Sequence, residues 1–304
     1  MWASSARKRR PAAGGGSAVA MTRRRRSARL GLIPLVPAGV LAVFVLLALG
    51  APVVSPGSPT SGELNDRLLP PAWTPGGRPD HLLGTDRLGR DIFDRIVHGT
   101  RVSLGIAGLS VLLAGVVGST IGLIAGNVGG TVEGLLMRVT DLMLATPLIL
   151  VALVFAVVFG PGLQNVVVVI VFLLWAQFAR MARAETLTVR SRDFVAAALA
   201  VGAGGRRIVQ RHILPNIAYT LLVLATLQIG FVIILESSLS FLGVGVPPPT
   251  PAWGLMVAEG RDFVTSAWWI SFFPGAAIAL VVVCVNLLGD WLRDRLDPYL
   301  RSVL

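Results

Sequence analysis

The sequence predicts an all-α integral membrane protein with six transmembrane helices. The composition is the first reason. The 304 residues are 54% hydrophobic and only 14% charged, with a mean hydropathy of +0.74, whereas soluble domains carry about a quarter charged residues. The second is segment length. Apolar runs of about 20 residues recur, as needed to cross ~30 Å of hydrocarbon at ~1.5 Å per residue. The third is the placement of arginine, whose clusters flank apolar runs instead of spreading over the chain.

Residues 1–29 are basic, rich in Gly and Ala and without periodicity, and hold nine of the 27 basic residues. They read as a disordered cytoplasmic arm, and Arg23 to Arg26 suit anionic lipid headgroups. Residues 30–50 form the first span. Ala48-Leu49-Gly50 resembles a cleavage site, but a signal-peptide core is only about 7–15 residues long, so a retained anchor is expected.

Residues 51–101 are rich in Pro and Gly with nearly balanced charge, and read as an extracytoplasmic segment. It ends in an amphipathic stretch. Ile92, Phe93, Ile96 and Val97 share one helical face, while Asp91, Asp94, Arg95 and His98 lie largely on the other. An interfacial helix is expected there. Residues 102–300 then form a five-helix core, with spans at 102–125, 135–159, 163–181, 218–242 and 268–291.

Arg183, Arg190, Arg192, Arg206, Arg207 and Arg211 lie in the loop 183–217, and Arg293, Arg295 and Arg301 in the C-terminal tail. The outer segments carry fewer basic residues, so both termini and this loop are expected in the cytoplasm. Trp253, Trp268 and Trp269 fall near outer span ends, where an aromatic belt is expected. Gly118, Gly122 and Gly126 continue a row from Ala114, which lets another helix approach closely.

Several chemistries are excluded. The net charge of +11 suggests nucleic acid until its placement beside spans is noticed. A phosphate-binding loop needs a lysine at the phosphates, and the only one is Lys8 in the arm. His81, His98 and His212 are scattered and Cys284 is single, which disfavours a metal centre. No nucleophile–base pair is evident. No cofactor is expected in this chain, and an enzyme is not the expected function.

Residues 194–216, FVAAALAVGAGGRRIVQRHILPN, interrupt the apolar chain. A short Ala-rich helix, a turn at Gly202, Gly204 and Gly205, and a second helix from Arg206 to His212 ended by Pro215 are expected. The result would be a small-residue knob on the cytoplasmic side. Ala197-Ala198, Gly202 and Leu214-Pro215 resemble the "EAA" loop of permease subunits of ATP-binding-cassette importers. Ala196 stands where that motif has Glu, and His212 where it has Ile.

Further pieces, HLLGTDRLGRDIFDRIVHGTRVSL (81–104), MRVTDLMLATP (137–147), RHILPN and LSFLGVGVPPPTPAWG (239–254), are similar to the C-type subunits of the dipeptide/oligopeptide permease family. The resemblance covers roughly residues 30 to 300 and implies the type I importer permease fold. It also implies a second, non-identical permease subunit, two ATPase subunits that bind ATP and Mg, and an extracytoplasmic substrate-binding protein. The loop residues Ala197, Ala198, Gly202, Gly204, Arg206, Arg207, Leu214 and Pro215 would then dock on an ATPase. Importers of nickel or another small solute share these motifs. A stand-alone secondary transporter would instead show inverted repeats and charged midplane residues.

Glu236, inside the fifth span, could line the translocation path, although a structural hydrogen bond near the outer helix end is favoured. Asp141 and Arg138 are one turn apart and are expected to pair. Asp290, Arg293 and Asp294 read as a solvated helix end. Gly84-Thr85-Asp86 and Gly89-Arg90-Asp91 either form turns or contact the binding protein. Pro247 to Pro249 and Pro251 are expected to stiffen an outer loop.

Overall fold

The computed structural model describes residues 34–296. The basic arm 1–29 and Arg301 lie outside these residues. Ten α-helices follow one another: α1 (Leu35–Val54), α2 (Ile92–Val128), α3 (Gly130–Ala145), α4 (Leu148–Phe159), α5 (Leu163–Arg190), α6 (Asp193–Ala200), α7 (Gly205–Ile208), α8 (Leu214–Phe241), α9 (Trp253–Gly260) and α10 (Trp269–Leu296). Among the described residues there is no sheet, only an isolated bridge between Thr85 and Asp91.

The α2–α5 pair is the spine of the bundle. A Cβ added at Gly118 would collide with the Trp175 carbonyl, at Gly122 with Ala179 and at Gly126 with Thr186. The glycine row therefore packs within the chain and brings two backbones together, as small residues do in lipid. The pairing also fixes direction. Residues 118 to 126 meet 175 to 186 in increasing order, so α2 and α5 are parallel.

Two parallel neighbours require a return crossing between them, and α3 with α4 must supply it. The sequence suggested one continuous helix over 135–159. Instead α3 and α4 meet at a bend of 91°. The reason is Pro147, which forces Thr146 into extended backbone (φ −78°, ψ 136°) and lacks the N–H a through-running helix needs. α8 and α10 are antiparallel, since Gly230 faces Val282 and Asn286 while Gly289 faces Leu227. Among the described residues five helices are long and apolar enough to cross a membrane alone, or six if the bent pair counts as one span.

The interfacial helix expected at 91–97 is not separate. It is the first turn of α2, capped by the Asp91 side chain, which accepts from the Asp94 N–H at 3.1 Å. The aromatic belt is also corrected. Trp253 is fully buried, with its ring N–H on the Ile96 carbonyl, and Trp269 donates to the Thr85 carbonyl. Of these three tryptophans only Trp268 is exposed. Asp141 does not pair with Arg138 but with Arg180 of α5, because tertiary packing brings α3 against α5.

Candidate functional site

At one end of the bundle, α5 stops at Arg190 and the chain folds into the knob. α6 closes in a Schellman motif: the Ala203 N–H reaches the Ala198 carbonyl at 3.0 Å and the Gly202 N–H reaches Leu199 at 2.9 Å. Gly202 has φ +83°, the left-handed conformation this cap requires. Beneath the turn, Val189, Val195, Ile208, Ile213 and Ile217 form a small core of their own. That core is what the periodic apolar residues of the loop are for.

The sequence placed a helix end at Pro215, and the structure does not. Val209–Ile213 forms a π-helical turn that leads directly into α8, with Pro215 in the first turn of that helix. The Leu214 N–H reaches back to Val209, a five-residue step that widens the helix locally. In an ordinary α-helix the proline ring would press on the carbonyl four residues earlier. Residues Gly205–Phe241 consequently run as one 37-residue helix, roughly 55 Å long at ~1.5 Å per residue.

The outer surface of the knob is apolar. Val201 is 85% exposed, and Leu199 and Phe194 are also exposed. Ala197, Gly202, Gly204, Arg206, Arg207, Leu214 and Pro215 share this exposure, while Ala198 is half-buried. Most of the candidate residues are thus exposed at the knob end of the bundle.

The opposite end of the bundle is built differently. Asp86 closes the turn 86–90, its Oδ1 accepting from the N–H groups of Leu88 at 2.8 Å and Arg90 at 3.0 Å. Its Oδ2 takes Arg90 Nε at 2.6 Å and Arg95 Nη1 at 2.6 Å. Both arginines also reach Glu259 of α9, at 3.0 and 2.7 Å. These four side chains are at most 7% exposed. Two positive and two negative groups balance, as a buried cluster must. Thr85, Asp86 and Arg90 are therefore interior residues, and turn formation, not a protein contact, accounts for them. Arg95, placed by its spacing on a polar outward face, is fully buried.

Beside this cluster, His81 lies between two carboxylates, 2.8 Å from Asp91 and 3.4 Å from Asp66. Burial alone lowers the imidazole pKa, but the hydrogen bonds and charges of Asp91 and Asp66 outweigh it and raise the pKa above the usual 6.5. Glu236 is 1% exposed. Its Oε1 accepts from Ser240 at 2.7 Å, and Ser240 Oγ accepts from the Val246 N–H at 3.3 Å. Its other oxygen has no partner among the described residues.

The family described as the binding-protein-dependent transport system inner membrane component matches residues 118–302. The chain is 42% identical over 262 residues to the di/tripeptide transport system permease protein DppC of Pseudomonas aeruginosa, covering 86% of each. It is 39% identical over 277 residues to the dipeptide transport system permease protein DppC of Haemophilus influenzae, covering 91% of this chain and 92% of that one. The chain belongs to this permease family. As a permease it is a multi-pass membrane component of a transport system, not an enzyme.

A chain of the MetNI methionine transporter, solved in an inward-facing conformation, superposes with a TM-score of 0.55 at 17% identity, covering 69% of this permease and 96% of that chain. The fold is thus that of an ABC importer permease. Among the permease's described residues no group of three or more His, Cys, Asp or Glu side chains could hold a metal ion. Sequence reasoning missed the buried cluster. Its only signal was the density of alternating Asp and Arg between positions 86 and 95, which reads equally as a solvated turn.

Proposed function

We propose that this chain is one of two non-identical permease subunits of an ATP-driven importer of di- or oligopeptides. Residues 193–217 dock on an ATPase subunit, and two such subunits supply ATP and Mg binding. The exposed apolar patch around Gly202 carries the reading. Uncovered Phe194, Leu199 and Val201 on a polar-side loop mark an interaction surface, and the flanking Arg206 and Arg207 suit acidic groups at the rim of a partner cleft. The peptide assignment rests on the relatives named above.

The arginine bias places the knob and both termini in the cytoplasm. Residues 55–91 and α9 then face outward, where an external binding protein delivers solute. Movement of the ATPases is transmitted because α7, the π turn and α8 are one continuous helix. Displacing the knob levers the outer end of α8 at Ser240 without an intervening hinge. Glu236 holds Ser240 and the following loop in place, and it acts through that loop instead of lining an open passage.

Purification from the native membrane in mild detergent, with companions identified by mass spectrometry, tests the assembly. A second permease and ATPases in stoichiometric amounts are expected; this chain recovered alone and well folded would overturn the reading. A Gly202→Trp variant tests the knob. Membrane insertion persists and ATPase association is lost, and unchanged association would remove the docking assignment.

A further inference from the structure

The turn 86–90 is locked by the buried cluster, but Arg87 takes no part in it. Asp86 and Glu259 each pair with both Arg90 and Arg95. Arg87, by contrast, is exposed and makes no ion pair or hydrogen bond among the described residues. It lines a cavity of about 420 Å³ at the outer end of α8, together with Ser240, Phe241, Val246, Arg261 and Asp262. Cavities of ~300–1,000 Å³ are the size that takes small solutes.

The electrostatics of the cavity favour an anion. Glu259 in its wall is neutralised by Arg90 and Arg95. Arg261 lies over the Phe241 ring at 5.3 Å and is only 3.3 Å from Asp262, a pair open to solvent on both sides. Among the described residues lining the cavity, Arg87 is the cation without an ion-pair partner, and its backbone belongs to the turn held by Asp86. Its neighbour Ser240 is fixed by Glu236 and the Val246 N–H, so the floor opposite is ordered too. A guanidinium is the group that binds a carboxylate through paired N–H donors.

We propose that this cavity is a subsite for the transported solute, and that Arg87 pairs with the terminal carboxylate of a short peptide. The inference rests on the peptide reading above. Solute leaving the binding protein is oriented here, carboxylate on Arg87, before it enters the bundle.

The test uses the complete importer in nanodiscs or vesicles, with dialanine as the probe delivered by the cognate binding protein. Arg87→Gln is expected to lower dialanine uptake about tenfold. The binding-protein concentration that half-saturates ATPase stimulation stays unchanged, and Arg87→Lys recovers part of the uptake. Unchanged uptake in Arg87→Gln overturns the proposal. So does a raised half-saturating concentration, which would assign Arg87 to docking of the binding protein. A wild-type importer that hydrolyses ATP but moves no dialanine or longer peptide sinks the peptide reading itself, a result distinguishable from either of these.

Discussion

The two ends of the molecule solve opposite problems with opposite chemistry. At the outer end, four charged side chains from a turn, α2 and α9 are buried together and tie residues 86–90 to the bundle. At the inner end, five aliphatic residues form a minimal core, and the apolar residues left over face water. Charge is hidden at one end, and hydrophobic surface is exposed at the other, where the proposed partner would dock. The difference shows that exposure, more than residue type, marks the working surface of this chain.

That contrast can be broken most severely at Arg95. Arg95→Ala leaves Asp86 and Glu259 with one cation between them, and removing one member of a buried charge cluster costs about 3–5 kcal/mol. A large fall in the melting temperature of the purified importer is expected. Replacing Arg95 and Glu259 together by Met keeps the Asp86–Arg90 pair balanced and should recover part of the loss. Equal melting for wild type and Arg95→Ala would show that the cluster is not a lock.

The α2–α5 spine stands between the two ends and gives the next effect. Gly122→Val forces a side chain against the Ala179 carbonyl and Ala182, and overpacking of this kind costs about 1–3 kcal/mol. A lower melting temperature with the partner subunits still bound is expected. Gly202→Trp should do the reverse. A Cβ there meets nothing within 4 Å, so its cost comes from the positive φ, about 1–2 kcal/mol, while ATPase association is lost.

His81 gives the smallest effect. Its pKa is raised in the folded protein, so its stabilisation is fully present below the usual 6.5 and is lost as pH rises through the raised value. Melting followed between pH 5 and 9 should show this loss in the wild type and a flatter profile in His81→Gln. The difference should stay below about 1 kcal/mol because the group is partly solvated. A profile identical in both would remove the His81 link from the outer cap.

Much of this was legible beforehand, for local reasons. Gly202 was placed at a turn because only glycine takes the left-handed conformation without strain. The glycine row 118–126 announced close helix packing because lipid offers no other use for it. Three readings failed for non-local reasons. Arg95 looked outward because helical periodicity sorts charge to a polar face, and it could not show Glu259 arriving 164 positions later. Asp141 looked paired with Arg138 because α5 was not in view. Trp253 and Trp269 looked interfacial because their carbonyl partners, Ile96 and Thr85, belong to distant segments.

By itself the sequence determined the membrane class, most of the apolar segments long enough to cross, and the position of the knob. These depend on composition, run length and single-residue conformational preference, all carried by neighbours in the chain. Tertiary structure alone decided that Pro147 bends a span while Pro215 is absorbed by a π turn. It also decided that Asp86, Arg90 and Arg95 lie inside and that Arg87 lines a cavity without an ion-pair partner among the described residues. Those outcomes depend on which groups from distant segments meet, and the cost of burying a charge is set only by the partner it finds there.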